Sequence, residues 1–460
     1  MAPRFVVIGG GIAGLAAALR LRDRAGDAAD ITVLEGSAVL GGKLRTGDLA
    51  EEGAEMFLVR DRGTGSAAWR LARRLGLDLV HPAPVPAALA VGGALRPMPG
   101  GTLLGIPADP STVESVATVE DRDRDEGGPL LRAGEDIAVG RLVRRRLGDD
   151  VVDRLVDPLL GGVYAGRADA LSLAATMPGV HAAAQIRSTL REAVADALAA
   201  SPRPPGEPVF AAVRGGLSRL VDAVVAAARA RVRLRAPARE LSRAGRAWRV
   251  MTGSAPAPEH IEADGVVLAV PATPAARLLR DLEAIGLEYA SVALVTLALP
   301  PGTGLPELSG FLVPATEGYA VKAATFVAVK WPHTRRPDAP VPVRVSLGRH
   351  GEEHVLQRPD DELVALAHRE LASLLGTNLP DPVATAVHRW GGALPQYGVG
   401  HVARVARVRA ALPATLGLAG AAYDGVGIAA CVRSGEAAAD AVCDAVQAGA
   451  NRTPVTESSA

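Results

Sequence analysis

Aromatic side chains make up only 3% of this 460-residue chain, lysine occurs three times (Lys43, Lys322 and Lys330) and cysteine twice. Each scarcity excludes something. Fifty basic and fifty acidic residues leave no formal net charge, which argues against nucleic acid as the main partner. Cys431 and Cys443 stand twelve positions apart, roughly 18 Å if both lie on one helix, too far for a disulfide. Two such cysteines make no zinc site and fit a reducing compartment; no metal is expected. The N-terminal apolar run is a four-residue strand rather than a secretory segment. No uninterrupted run approaches the ~20 apolar residues of a membrane helix. A cytoplasmic protein is expected. Arg141 with Arg144, Arg145 and Arg146 would suit a peripheral contact with an anionic membrane, but such a run reads first as a solvated helix face.

What is present begins at the N-terminus. Phe5-Val6-Val7-Ile8 is a short buried strand, and Gly9, Gly11 and Gly14 follow at G-x-G-x-x-G spacing, opening an Ala/Leu-rich helix. The next strand, ITVLE, ends at Glu35, twenty-one residues after Gly14. In this pattern the first glycine permits a tight turn, the second lets a pyrophosphate approach the backbone, and the third lets helix and strand pack closely. Amides at the helix N-terminus hold phosphates, and Glu35 accepts hydrogen bonds from a ribose diol. The strand–turn–helix–strand–acid context predicts a dinucleotide site.

Further along, Gly41-Gly42-Lys43-Leu44-Arg45-Thr46 is a second glycine-rich loop, and ALAVGG a short strand. VEDRDRDEGG reads as a solvated mixed-charge loop, IAVGRLVRRRLGDDVVDRLVDPLL as helix and AAAQIRSTLREAVADALAA as one amphipathic helix. SPRPPGEP reads as a linker. ADGVVLAVPA is a buried strand. Between Ser291 and His388, SVALVTLAL, AATFVAVKWP and PVRVSLG predict an antiparallel sheet with one helix, DELVALAHRELASLLG, packed among the strands. The end, LGLAGAAYDGVGIAACVRSGEAAADAVCDAV, is strand, glycine-rich turn and helix. His350 and His354 lack a third ligand, and the serines and histidines show no nucleophile elbow or triad.

Several segments together resemble the porphyrinogen oxidase branch of the monoamine oxidase-like flavoproteins, over residues 4 to 446. IGGGIAGL, the glycine doublet and the C-terminal glycine segment mark the FAD-dependent amine oxidase superfamily, and GAEMFL is among the other matching segments. GGVYAGRADALSL, KWPH and LPQYGVGH resemble bacterial enzymes acting on coproporphyrinogen III or protoporphyrinogen IX. The resemblance implies a non-covalent FAD, with Gly9, Gly11, Ala13 and Gly14 at the pyrophosphate and Glu35 at the ribose. Gly42, Lys43 and Arg45 would lie along the diphosphate and ribityl chain, Ala238 at the adenine, and Gly420, Val426, Gly427 and Ile428 against ribityl and isoalloxazine. It implies that Gly162, Val163, Tyr164 and Ala165 line the porphyrinogen. Mitochondrial relatives carry an arginine where this chain has Ala87, so Arg96, Arg167 and Lys330 are the candidate propionate cations. No catalytic acid or base is assigned.

The fold class expected is mixed α/β: a Rossmann-like FAD-binding domain (1–80, 208–275 and 395–447) with an inserted antiparallel-sheet substrate domain (81–95 and 276–394), an inserted helical domain (96–207) and a disordered tail (448–460). The activity implied is oxidation of coproporphyrinogen III in haem biosynthesis by three hydride transfers to FAD, with O2 consumed and H2O2 formed. Transient contact with the next haem-pathway enzyme would pass the product on. Alternatives are protoporphyrinogen oxidation, another FAD amine oxidase or desaturase, and a carrier without turnover. The single aromatic in the C-terminal segment, Tyr423, counts against an amine-binding cage.

Overall fold

A computed structural model describes residues 2–61, 63–200, 202, 204, 206–279 and 286–451. In chain order the elements used below are β1 (Arg4–Ile8), α1 (Ile12–Ala25), β2 (Asp30–Leu34), β3 (Ala87–Val91), β4 (Ala94–Pro97), α2 (Val139–Leu147), α3 (Asp157–Tyr164), α4 (Pro178–Ala184), α5 (Leu190–Ala199), α6 (Ser218–Ala228), β5 (Arg231–Arg233), β6 (Gly265–Leu268), β7 (Tyr289–Leu299), β8 (Gly310–Leu312), β9 (Val321–Phe326), β10 (Val341–Leu347), α7 (Asp360–Leu375), β11 (Ala384–Pro395), α8 (His401–Ala411), β12 (Leu416–Leu418) and α9 (Ile428–Asn451).

A five-stranded parallel sheet, ordered β5-β2-β1-β6-β12, draws its strands from the start, middle and end of the chain. Its inner strands β1, β2 and β6 are largely apolar and buried because both faces are covered, whereas the edge strand β5 is Arg231-Val232-Arg233. On one face α1 is buried around most of its circumference, from Ile12 to Leu19, since α6 and α9 flank it in the same apolar cluster. On the other face lie Trp248, Val250 and Val405. The end of α1 is tied down by Arg22, whose guanidinium donates to the carbonyls of Gly26, Asp27, Ala29, Ala228 and Arg229. Cys431 and Cys443 both sit on α9 as free, buried thiols.

The second sheet has seven strands, β11-β7-β10-β9-β8-β3-β4. Its pairings are antiparallel except β8 with β3, which run parallel, a departure from the expected wholly antiparallel sheet. The one packed helix is α7, whose Leu363, Ala367 and Leu371 bury against β7, β9 and β10.

Four local expectations are corrected. The run from 182 to 200 is not one helix: α4 ends at Ala184, and Thr189 caps the start of α5. Its hydroxyl accepts from the Glu192 amide and donates to the Glu192 carboxylate. The mixed-charge loop is not wholly solvated, because Asp123 is buried and accepts from the Leu190 and Arg191 amides at the start of α5, both at 2.8 Å. AATFVAVKWP is strand only to Phe326, then one helical turn from Val327 to Lys330. At the C-terminus α9 runs through Asn451, past residue 448 where the tail was expected; the remaining tail and three of the eight SPRPPGEP residues lie outside the described residues.

The crossing of α1 and α9 has no room to spare. A Cβ on Gly435 would stand 2.1 Å from the Ala13 carbonyl oxygen. Gly435→Ala is therefore expected to lower stability by about 1–3 kcal/mol, read as a fall in thermal midpoint; an unchanged midpoint would show that the helices part at little cost.

Candidate cofactor and substrate site

The glycine loop is built on collisions that side chains would cause. Gly9 takes a positive φ of 113°, and a Cβ there would lie 2.4 Å from the Ala269 carbonyl. A Cβ on Gly14 would meet the Gly9 carbonyl at 2.0 Å, so α1 starts pressed against the loop. Gly11, by contrast, has nothing within 4 Å of its Cβ position. The loop therefore closes below and opens above. Glu35 is held at the end of β2 by the amides of Gly10 and Ser37, each at 2.7 Å. The Gly10 amide is a participant the sequence motif did not single out. The second glycine loop folds directly over the first: the Gly41 amide donates to the Gly10 carbonyl at 2.8 Å, and a Cβ on Gly42 would stand 3.2 Å from the Gly11 Cα.

The C-terminal turn closes the same groove. Gly420, with φ 111°, brings its Cβ position to 3.6 Å from the Ala13 Cβ, and its amide donates to Ser434 Oγ at 3.0 Å. Ser434 is held in turn by Asp424, which pairs with Arg409. Gly427 is exposed, with nothing near its Cβ position, and α9 begins at the following Ile428. Val426 packs toward the helical cluster. Lys43 lies by Cys431 of α9. Burial lowers its pKa, and no carboxylate stands within ion-pair distance among the described residues. Arg45 turns the other way, 3.9 Å from Glu52 and over the Trp390 ring. Ala238 is half-buried below the sheet, two residues past Ala236, whose amide donates to the Glu35 carbonyl.

On the facing side, α3 ends in a left-handed residue, Ala165 (φ 51°). Gly162 and Val163 are exposed there, and a Cβ on Gly162 would lie 3.4 Å from Leu312 Cδ2. Tyr164 and Ala165, expected to line the substrate, are buried instead. Ala165 packs with Ala290, Val292 and Ala393. The Tyr164 ring meets Tyr397 edge-on at 5.6 Å, and Tyr397 stacks on His401 and donates its hydroxyl to the Ala421 carbonyl. Tyr397 thus links the α3 turn to the C-terminal glycine turn, a role its place in LPQY did not disclose. Arg96 stands exposed on β4, opposite Leu89.

Lys330 is turned inward. Its ammonium donates to Glu55 at 2.8 Å, and the same carboxylate accepts from Arg344 at 2.9 Å and the Trp331 indole at 2.5 Å. Burial pushes Glu55 upward, but Arg344 and Lys330 outweigh it and hold the carboxyl at about 2. Lys330, a candidate propionate cation, is thus tied to a buried carboxylate that it shares with Arg344. The signal that would have found its partner was the glutamate of GAEMFL.

Comparison with known proteins gives this geometry its family. The model for flavin-containing amine oxidoreductases matches residues 12–443. The chain belongs to that family. Its cofactor is FAD, and the groove fits it: glycines where a Cβ would collide, open faces at Gly11 and Gly427, and an unpaired Lys43 beside them. A coproporphyrinogen III oxidase from Mycobacterium tuberculosis is 40% identical, covering 97% of this chain and 99% of its own. A protoporphyrinogen oxidase from Bos taurus is 30% identical, covering 94% and 97%. A crystal structure from Exiguobacterium sp. 255-15 superposes with TM-score 0.82 at 30% identity, covering 96% and 99%. Cyclohexylamine oxidase from Brevibacterium oxydans shares the fold at TM-score 0.68, with 17% identity over 97% of this chain and all of its own. This flavin-dependent oxidase has, among its described residues, no helix long and apolar enough to cross a membrane.

Two outcomes follow from the buried carboxylates. Lys330→Met should cost about 2–3 kcal/mol in thermal or denaturant unfolding, less than for a carboxylate left wholly unpaired, because Arg344 remains. Glu51 accepts from the Leu217 amide at 2.7 Å and from Thr46, yet burial pushes it from 4.5 to about 7. The folded state then keeps a proton that the unfolded chain releases above about pH 4.5. Stability from this group falls as pH rises toward about 7 and levels off beyond. Thermal midpoints of Glu51→Gln should lose that slope.

Proposed function

We propose that this protein oxidises coproporphyrinogen III to coproporphyrin III in haem biosynthesis, removing six electrons and consuming three O2 to give three H2O2. The carrying observation is the Mycobacterium tuberculosis relative, which matches along nearly the full length of both chains. Each two-electron step removes a hydride from the macrocycle and releases a proton; once electrons leave a meso bridge, the adjoining pyrrole N–H is acidic, so no general base is assigned. FAD, when bound, supplies the hydride acceptor. The chain supplies placement. Gly9, Gly11, Ala13 and Gly14 leave room for the diphosphate, Lys43 offers it a cation, and Glu35 faces the ribose. Gly420, Val426, Gly427 and Ile428 bring backbone and the positive end of α9 toward the flavin. Gly162 and Val163 give a flat macrocycle a surface without bulk, held in position through Tyr164 and Tyr397. Arg96 is a candidate cation at the exposed margin.

The test is an aerobic assay of the FAD-loaded protein with coproporphyrinogen III and protoporphyrinogen IX, following porphyrin fluorescence and O2 uptake. Coproporphyrinogen should be preferred about tenfold or more in kcat/KM, with three O2 used per porphyrin. Preference for protoporphyrinogen would reassign the substrate, and turnover of neither would overturn the reading. Lys43→Met should weaken FAD binding about tenfold, measured by flavin fluorescence during dilution.

A further inference from the structure

Between α3, the segment after β8, β9 and the turn after β10 lies a small polar recess lined by Asp157, Gly161, Arg167, Lys322 and Arg349, with room for roughly one water-sized atom. Lys322 is 7% exposed, and its one hydrogen bond among the described residues is a long one to the Gly161 carbonyl, 3.4 Å. Among the described residues no carboxylate lies within ion-pair distance of it. Arg349, also buried, donates to the carbonyls of Tyr319, Val313 and Val321, with Glu352 3.6 Å away on the solvent side. Arg167 is 3.4 Å from Asp157, whose other oxygen accepts from the Ala168 amide. Three cations thus face a recess holding one carboxylate. An unpaired buried ammonium is costly, and burial with the neighbouring Arg349 pushes Lys322 down to about 7. With Asp157 beside Arg167 and Glu352 beside Arg349, Lys322 is the cation left without a carboxylate among the described residues. The recess opens beside Gly161, next to Gly162 of the proposed macrocycle surface, and beside Val313, next to the Leu312 that faces Gly162.

We propose that Lys322, with Arg167 and Arg349, recognises a carboxylate and takes one of the two propionates that protoporphyrinogen IX carries as vinyl groups, favouring a macrocycle with four propionates over one with two. This rests on the porphyrinogen reading above. The recess size suits a single carboxylate oxygen, the one part of a propionate that needs to reach Lys322, while Arg167 at the mouth, its side chain a third exposed, takes the other.

The experiment uses the FAD-loaded full chain and the variants Lys322→Met, which conserves volume, and Arg167→Gln, which alters a partly exposed side chain. Equilibrium binding is measured by fluorescence for coproporphyrin III, its tetramethyl ester and protoporphyrin IX. Both variants should bind coproporphyrin III about tenfold or more weakly, with the ester and protoporphyrin changed less than about twofold. Equal weakening of all three, or none for coproporphyrin, overturns the proposal. So does a formate-induced rise in thermal midpoint that Lys322→Met abolishes while porphyrin binding is unchanged, which would make this a site for a free anion. A wild-type protein that binds none of the three fails the substrate reading itself, and this proposal with it.

Discussion

The backbone contact between the first and last helices is the constraint on which the rest depends. Gly435 lets α9 sit on the Ala13 carbonyl, Gly420 meets Ala13 across the same gap, and Gly14 presses α1 onto the Gly9 carbonyl. Glycine inside a helix costs roughly 1 kcal/mol relative to alanine, and here close packing of α1, α6 and α9 offsets it. Two helix N-termini are thereby brought to one groove, and their unpaired amides and positive dipole ends favour an anionic diphosphate and an electron-rich flavin.

The other parts of the chain are joined to this frame by buried polar contacts. Glu55, from the segment after the second glycine loop, gathers Arg344 from β10 and Lys330 and Trp331 from the helical turn after β9. Tyr397 joins the α3 turn to the C-terminal turn through one ring contact and one hydroxyl. Such contacts add less net stability than their number implies, because desolvation opposes them. Their geometry is directional, however, and a shift by one residue would leave a buried charge unpaired.

Elements set by neighbours in sequence were legible before any coordinates. β1, α1 and β2 follow from an apolar run, a glycine spacing and an acid at the right distance. The break before α5 was missed although its signal, Thr189 and Glu192 at helix-cap spacing, is local. The other misses were non-local. Asp123 reads as solvated because its partners, the Leu190 and Arg191 amides, are far along the chain. The parallel pairing of β8 with β3 has no local signature, since either direction accepts the same side chains. Tyr164 reads as a lining residue until Tyr397 arrives to cover it.

The sequence by itself determined the cofactor class and the α/β frame, because glycine spacing and strand–helix alternation act over short distances. It also supplied the three lysines, without distinguishing them. Only the tertiary structure decided that Lys330 shares Glu55 with Arg344, that Lys43 has no carboxylate within ion-pair distance among the described residues, and that Lys322 is buried facing two arginines. A cation's use depends on which carboxylate comes within about 3 Å and how much water remains around it, and both are properties of the folded chain.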